Sequence, residues 1–126
     1  MKIFGAKEYG VKLKASVHKT GRLGFDAATA QWLAITKDTN FKFGEEEDGS
    51  RYLIITKEDD GDTFKPMLAA GYYSLDVKTI MNVWQVPYAQ ETIIFDLVDV
   101  TNRYAELGKT VLQMKMRAVT KRTKGE

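Results

Sequence analysis

A group of basic residues near the start of the chain has the composition and spacing needed to neutralise nucleic-acid phosphates. Lys12 and Lys14 alternate with apolar residues, and His18, Lys19 and Arg22 follow around the next turn signal. Cations on one face of a strand and on the turn after it can contact successive phosphates along a backbone. The alternative interpretation is a solvated strand face, on which lysines only discourage pairing with other strands.

Basic residues return towards the other end of the chain. Residues 109–126 carry six Lys or Arg and one Glu, the same balance as residues 1–25, whereas residues 26–108 are net acidic. Terminal strands that are neighbours in space would merge both basic segments into one anion-binding surface. Lys115 and Arg117 are then predicted to extend the phosphate-binding face, and plain solubility is the alternative role.

Two consecutive tyrosines offer a different chemistry. Tyr72 and Tyr73 follow a glycine turn, and alternation along a strand would point one of them outward. An exposed tyrosine can stack on a base, a contact worth roughly 1–3 kcal/mol. The alternative is that the pair supplies one core residue and one cross-strand contact. Trp32 and Trp84 are predicted to be core residues.

Catalytic and metal-binding chemistry find little support in the residue inventory. The chain has no cysteine and a single histidine, His18, so neither a thiolate site nor a histidine cluster can form within it. The acidic stretches 45–48 and 58–62 lack the ligand spacing of a calcium-binding loop and are predicted to be solvated turns. No serine-nucleophile, phosphate-loop or dinucleotide motif is present. We therefore expect a protein that is not an enzyme, with no metal site and no cofactor.

The hydrophobic pattern predicts a cytoplasmic protein with no membrane partner. No apolar run approaches the roughly 20 residues of a membrane span, and the first ten residues contain no apolar signal-peptide core. The lack of cysteine fits a reducing compartment. At 126 residues the chain is long enough to bury a sizeable core, and we expect a single domain over residues 1–126.

The elements that would position these side chains begin with a strand and a turn. Apolar and polar residues alternate over residues 11–18, the period of a half-buried strand. Gly21 is predicted to take the positive φ of a tight turn, and residues 22–25 form the returning strand. Asp26 is predicted to cap a short helix, because its carboxylate can accept the free N–H groups of the first turn. The residues predicted for the buried side of that helix are Ala27, Ala30, Trp32, Leu33 and Ala34.

The chain continues with a hairpin over residues 40–44 and 51–57 and then repeats the order of its elements. Pro66 indicates an edge strand or a strand start. Gly71 is the second turn, and Asp76 is predicted to cap the second helix. The predicted buried side of this helix follows the i, i+3, i+4 pattern and consists of Ile80, Val83 and Trp84.

Both halves therefore contain strand, strand, helix, strand and strand, with residues 91–100 and 110–119 as the last two strands. At a constant offset of about 50 the two glycine turns and the two capping Asp residues align. We interpret this agreement as an internal duplication, in which two units too small to bury a core alone pack face to face. The predicted fold class is α+β, with internally duplicated β-β-α-β-β units, a mostly antiparallel sheet and two short helices. The predicted boundaries are about 10–58 for the first pseudo-repeat, about 62–118 for the second, and 119–126 for a disordered basic tail.

The segment around the first turn resembles the swapped-hairpin family of bacterial AbrB/SpoVT-type transcription regulators. Gly21 and Arg22 match the Gly-Arg pair of that family, and Leu23 and Phe25 match its two apolar strand positions. The resemblance covers roughly residues 11–56. It implies DNA binding through the basic residues that flank the turn, which here are Lys12, Lys14, Lys19 and Arg22.

The sequence also departs from that family's pattern. Asp26 stands where the family usually has Pro, and Gly24 stands where it often has Thr. In the second half Gly71 is followed by Tyr72 instead of Arg. At best, one half keeps the basic turn of the family.

The order of elements is similar to a second group, the Whirly and related folds that bind single-stranded nucleic acid. This resemblance implies binding along a sheet by basic and aromatic side chains. It rests on element order, and the order matches only when the repeat is permuted. The two resemblances therefore imply different strand types, duplex in one and single strand in the other.

The sequence as a whole predicts a non-enzymatic nucleic-acid-binding protein, with DNA or a single-stranded nucleic acid as partner and transcription regulation as its role. The competing hypothesis is a protein-interaction or self-assembly module, of phage or mobile-element origin, whose strand edges pair into a homo-oligomer. The residues predicted to bind nucleic acid are Lys12, Lys14, His18, Lys19, Arg22, Tyr72, Tyr73, Lys115 and Arg117.

Overall fold

A computed structural model of the chain describes residues 1–3, 12–56 and 58–121, with side chains described as far as residue 117. Val11, which the pattern assigns to the first strand, lies outside the described residues. Residues 122–126 of the predicted tail also lie outside them.

Eight strands and two short α-helices make up the described part of the chain. The first half contains β1 (Leu13–Val17), β2 (Arg22–Phe25), α1 (Ala27–Trp32), β3 (Asn40–Glu45) and β4 (Arg51–Thr56). The second half contains β5 (Met67–Ala69), β6 (Tyr72–Asp76), α2 (Lys78–Val83), β7 (Glu91–Asp99) and β8 (Thr110–Lys121), with a 3₁₀ helix (Thr101–Leu107) between β7 and β8. An α+β fold with a mostly antiparallel sheet is confirmed.

The strands form one sheet in the order β3-β4-β8-β7-β1-β2-β6-β5, and every strand pairing within the described residues is antiparallel. No hairpin pairs with the other hairpin of its own half. Instead, β1 pairs with β7, β2 pairs with β6, and β4 pairs with β8. The prediction that the halves pack face to face is therefore wrong, because their strands interlock within a shared sheet.

The sheet is rolled rather than flat. Four strands stand between β2 and β3 in the sheet order, which would place them about 24 Å apart in a flat sheet. Yet the rings of Phe25 on β2 and Phe41 on β3 stack with their centroids 5.6 Å apart. Phe64 also exchanges two backbone hydrogen bonds of 2.9 Å with Phe41, just before the chain enters β5 at the opposite edge. The connector to β5 thus joins the two edges of the rolled sheet.

The inner face of the roll holds the main hydrophobic core. Alternate residues of β1, β2 and β7 point inward, as the pattern predicts for β1 and β2. The side chains buried most completely in this core include Phe25, Phe41, Phe95, Leu23, Leu53, Leu75, Met81, Ile93 and Leu112. The even-numbered residues of β1 and β7 lie on the outer face, where the candidate site is found.

The two helices differ in how they begin. Asp26 caps α1 as predicted, with its Oδ1 accepting a hydrogen bond of 2.7 Å from the Thr29 backbone N–H. Asp76 does not cap α2, because it is the last residue of β6 and pairs with Arg22 of β2. Val77 occupies the cap position instead, without a side-chain hydrogen bond.

The predicted buried sides of the helices are only partly correct. Trp84 is buried, but Trp32 is 56% exposed and Val83 is 72% exposed. In α1, Ala30 and Leu33 pack against the core, whereas Ala27 and Ala34 are exposed. Each helix has six residues, so less than two turns are available to establish a helical period.

The last strand is two residues longer than predicted, because β8 continues to Lys121 and so includes Thr120 and Lys121 of the predicted tail. Its pairing with β7 extends to Glu91 opposite Lys121, with a register shift between Thr92 and Ile93. Among the residues that the structure describes, no helix has the length and apolar character needed to cross a membrane.

Candidate nucleic-acid interface

The outer face of the central strands brings together basic residues from both ends of the chain. The register pairs Lys14 of β1 with Asp96 of β7, and Asp96 with Lys115 of β8. The three side chains therefore form one cross-strand row, in which the two lysines flank the aspartate across a distance of about 10 Å. Both lysines are exposed. The two basic segments contribute one lysine each to this row, with β7 and Asp96 between them.

Asp96 is the acidic centre of this row. Its two carboxylate oxygens accept hydrogen bonds from Arg117, at 3.1 Å from Nε and 3.0 Å from Nη2. This bidentate geometry fixes the guanidinium on the outer face of β8. The aspartate therefore offsets part of the local positive charge while it positions Arg117.

Helix α1 supports this surface from the inside. The hydroxyl of Thr29, which is fully buried, accepts a hydrogen bond of 3.0 Å from the Lys14 backbone N–H. The helix is thus attached to β1 at the residue whose side chain lies in the basic row. Lys12 precedes β1 and is exposed.

The first turn carries a second group of cations. His18 donates its backbone N–H to the Arg22 carbonyl and accepts from the Gly21 backbone N–H, both at 2.8 Å. Gly21 has a φ of +86°, as predicted, and is buried against Lys78 at the start of α2. A Cβ built on Gly21 would lie 2.8 Å from the Lys78 Cβ. The close approach of the glycine backbone brings Lys78 beside the turn that carries Lys19 and Arg22, both exposed.

Asp76 and His18 both lie beside the cations of the first turn. Arg22 lies directly opposite Asp76 in the register of β2 and β6. The imidazole of His18 lies against the outer face at Gly24, since a Cβ built there would be 2.7 Å from the His18 Nε2. His18 therefore occupies the space between the turn and the centre of the sheet.

The second turn presents aromatic residues in place of cations. Ala70 and Gly71 have φ values of 52° and 81°, which form a two-residue turn between β5 and β6. Tyr72 is 60% exposed, whereas Tyr73 is partly buried against the core. The two tyrosines therefore divide into one exposed and one core-contacting residue, as alternation predicts. Beside them lies a cavity of about 340 Å³.

The sequence-predicted residues thus fall into three neighbouring groups. The cross-strand row holds Lys14 and Lys115, to which the side chain of Arg117 is joined through Asp96. The first turn and its flanks hold His18, Lys19 and Arg22. Tyr72 and Tyr73 lie at the opposite ends of β6 and β2 from the first turn, because these two strands run antiparallel.

Sequence reasoning missed three charged residues at this surface. Lys78 belongs to the other half of the chain, and only the packing of α2 on the first turn reveals its position. Asp76 and Asp96 are also part of the surface, each directly opposite a predicted cation. Alternation within β7 places Asp96 on the outer face, but its pairing with Lys14 depends on a register between strands far apart in sequence.

A larger groove of about 1090 Å³ lies away from the basic surface, between the loop after α1, the end of β4 and the start of β8. Its lining includes Thr36, Thr39, Thr56 and Thr110, together with Asp38 and Glu58. No group of three or more acidic or histidine side chains within the described residues is arranged to hold a metal ion.

The acidic connector between the halves forms ion pairs. Asp60 binds Lys42, and Asp59 binds Lys65 at 2.8 Å. The hydrogen bond from Lys42 lowers the pKa of Asp60, and the hydrogen bond from Lys65 lowers the pKa of Asp59. Two of the acidic side chains in the stretch 58–62 therefore act as ion-pair partners of nearby lysines.

Comparison of the chain with known protein families, with curated protein sequences and with solved structures finds no match.

Proposed function

We propose that this protein binds nucleic acid through the outer face of β1, β7 and β8 and through the first turn, and that it is not an enzyme. The observation that carries the proposal is the register that places Lys14 and Lys115 in one row. These lysines are distant in sequence, and their convergence concentrates positive charge where an elongated polyanion could lie. Arg22 and Lys78 extend the same charge to the end of the sheet.

The acidic residues on this surface do not cancel its positive charge. Asp96 faces Lys14, Lys115 and Arg117, and Asp76 faces Arg22. The cations therefore outnumber these two carboxylates. Phosphate contacts made in this way carry no sequence information, so the proposal concerns affinity and not base readout.

We also propose that the two halves arose by duplication of a β-β-α-β-β unit. Both helices end in the same way, with positive φ at Ala34 (54°) and Gln85 (56°). The next residue, Ile35 or Val86, is buried and donates its backbone N–H five residues back, at 2.9 Å in both halves. The sequence offset between the two helix ends is one residue larger than the offset between the two glycine turns. At this larger offset Trp32 aligns with Val83, and both side chains are exposed.

The interlocked hairpins also support the resemblance to swapped-hairpin regulators. In this chain each hairpin pairs with a hairpin from the other half, so one polypeptide supplies both partners of the exchange. We propose a regulator of this kind, acting in the cytoplasm where it would meet DNA or RNA. The basic first turn, with Arg22 after Gly21, is the part of the chain that carries this proposal.

The decisive experiment measures binding by fluorescence anisotropy to labelled single-stranded DNA, duplex DNA and RNA of mixed sequence, at about 50 and 200 mM salt. The variant Lys14→Glu with Arg22→Glu is expected to lose binding while circular dichroism shows an unchanged fold, because both side chains are exposed. Binding by the unmodified protein should weaken steeply with salt, as several phosphate contacts require.

A matched control separates the local surface from the total charge. Lys37 and Arg103 are exposed and lie outside the proposed surface, so Lys37→Glu with Arg103→Glu gives a variant of the same net charge. This control should bind nearly as well as the unmodified protein. Two results would contradict the proposal. One is a folded Lys14→Glu, Arg22→Glu variant that binds as tightly as the unmodified protein. The other is an unmodified protein that does not bind any of the three nucleic acids at low salt.

Self-assembly is a second candidate function, favoured by the edge of the sheet. All three residues of β5 are exposed, and they include Met67 and Leu68, which is 60% exposed. A short apolar edge strand of this kind can pair with a strand of another copy. Measuring the size of the protein in solution at low and high salt, without nucleic acid, tests this function, and a monomer under both conditions would exclude it.

A further inference from the structure

The cavity beside the second turn has the properties of a small ligand site. Its volume is about 340 Å³, within the lower range of ligand pockets. Phe25 and Ile35 line it and are almost completely buried, which makes its floor apolar. Gln31 and Thr36 add an amide and a hydroxyl to the lining.

The chemistry of this lining suits a flat heterocycle. An apolar floor favours the face of an aromatic ring, and the polar groups of Gln31 and Thr36 can bond to ring nitrogens and carbonyls at its edge. Tyr72 also lines the cavity and remains 60% exposed, so its ring is accessible for stacking. A nucleobase has this combination of an apolar face and a hydrogen-bonding edge.

The cavity is also close to the surface proposed to bind phosphates. Tyr72 begins β6 and Asp76 ends it, a separation of about 13 Å along the strand. Asp76 lies opposite Arg22, and Lys78 follows two residues later. A short stretch of extended polynucleotide could therefore reach from the cavity to these cations.

Between these points the outer face of the sheet carries small side chains. Ser16, Gly24 and Ser74 form one cross-strand row on β1, β2 and β6, and the same row continues through Ile94 to Arg117. The His18 imidazole covers this row at Gly24, so a polynucleotide backbone that crosses the sheet here would contact His18 as well as Ser16 and Ser74. The row thus connects the strand that bears Tyr72 with the basic part of the surface.

We propose that the cavity beside Tyr72 accepts one unpaired base of a single-stranded nucleic acid whose phosphates contact the basic surface. This inference rests on the proposed function, and it adds a preference for single strands, the strand type implied by the resemblance to Whirly folds and not by the resemblance to swapped-hairpin regulators. A paired base is stacked inside a duplex and would have to be extruded at the cost of unpairing before it could enter the cavity. A base in a single strand enters at a much lower cost.

The experiment compares two labelled strands of equal length and charge by fluorescence anisotropy. One is oligothymidine of about 20 nucleotides, longer than the ~4–16 nucleotides covered by known single-strand folds. The other is an abasic strand with the same phosphates. The unmodified protein should bind the oligothymidine at least about fivefold more tightly, a difference of ~1 kcal/mol. The affinity for a duplex of the same length should not change in Tyr72→Ala, because paired bases are stacked inside the duplex and do not enter the cavity.

Three variants assign this difference to the cavity. Tyr72→Ala should reduce the preference for oligothymidine to about onefold without changing the affinity for the abasic strand. Tyr72→Phe keeps the ring and should keep the preference. Leu68→Ala is the matched control, since Leu68 is also 60% exposed on the neighbouring strand and does not line the cavity.

The outcomes separate this inference from the proposed function. Equal affinity for both strands, or a preference that survives Tyr72→Ala, would overturn the base site while leaving phosphate binding in place. If neither strand binds at about 50 mM salt, both the proposed function and the base site are overturned. A preference that Tyr72→Ala removes and Leu68→Ala retains would support the base site.

Discussion

The two hairpin turns occupy equivalent places in their halves but have different side chains and surroundings. The first turn is packed, with Gly21 buried against Lys78. The second turn is open, since no atom comes within 4 Å of a Cβ built on Gly71. Cations surround the first turn, whereas Tyr72 and a cavity accompany the second.

This difference shows how similar backbones can support separate tasks. Both glycines have a φ above 80°, and both turns lead into a strand followed by a six-residue helix. The backbone therefore sets the position of each turn, while the flanking side chains set its chemistry. On the proposed function, one end of the β2–β6 pair contacts phosphates and the other contacts a base.

The largest effect is expected from neutralising the first turn. Arg22→Gln with Lys78→Gln should weaken binding to a single strand about 100-fold at low salt, or ~2.7 kcal/mol, and reduce the salt slope by about 1.4. Tyr72→Ala should weaken binding without changing that slope, because stacking releases no counterions. Anisotropy titrations across a salt series measure both quantities.

A charge-matched control tests whether the reduced salt slope comes from the first turn. Lys37→Gln with Arg103→Gln removes the same charge from exposed positions outside the surface and should leave the salt slope nearly unchanged. An identical reduction in slope for both pairs would mean that total charge, and not the first turn, determines the affinity.

The next effect concerns stability and compares the two glycines directly. Gly71→Ala should lower the free energy of unfolding by about 1 kcal/mol, through the strain of a side chain at positive φ. Gly21→Ala should cost about 2–3 kcal/mol, because its Cβ also meets backbone and side-chain atoms of Lys78. Chemical denaturation of the two variants measures the difference, and equal losses would show that α2 moves freely away from the first turn.

A smaller gain is expected from removing the acid in the cross-strand row. Asp96→Asn should strengthen binding about two- to fivefold, because Lys14 and Lys115 lose a screened negative neighbour and Arg117 is released. Glu106→Gln, an exposed position on the 3₁₀ helix, removes one negative charge elsewhere and serves as the control. Weaker binding by Asp96→Asn would mean that the fixed position of Arg117 matters more than the local charge.

The smallest effect is a local response to acid in the connector between β4 and β5. The pKa values of Asp59 and Asp60 are lowered by their lysine partners, so these ion pairs stabilise the connector above the ordinary carboxylate pKa. Their contribution is lost as the pH falls below about 4, through the lowered values. Amide exchange in β5 should then increase before exchange in β1 and β2 does. Uniform exchange in all three strands would contradict this order.

Local sequence patterns predicted where the strands and helices lie better than they predicted which strands pair. Alternation located β1 and β2, and the capping chemistry of Asp26 located the start of α1. Trp32 was placed wrongly because a six-residue helix offers too few turns for its period to be read. Asp76 was placed wrongly because β6 continues one residue further and pairs that residue with Arg22.

Individual residues of the candidate site could be predicted from the sequence, but their arrangement in space could not. Lys14, Arg22 and Lys115 could be selected because each is a cation in an alternating strand or beside a turn. The contact between Gly21 and Lys78 joins the two halves, and no local signal encodes it. The interlocking of hairpins likewise depends on pairings between strands far apart in sequence, which the period of a single strand does not specify.

The strand order has a consequence for synthesis on the ribosome. β7 and β8 are the last strands of the described chain to be translated, yet they lie at the middle of the sheet. Until residues 91–121 leave the exit tunnel, β3-β4 and β1-β2-β6-β5 lack the hairpin that lies between them in the sheet, so each has an open inner edge. During this time both open edges can pair with strands of other chains. The β7–β8 hairpin covers both edges when it folds.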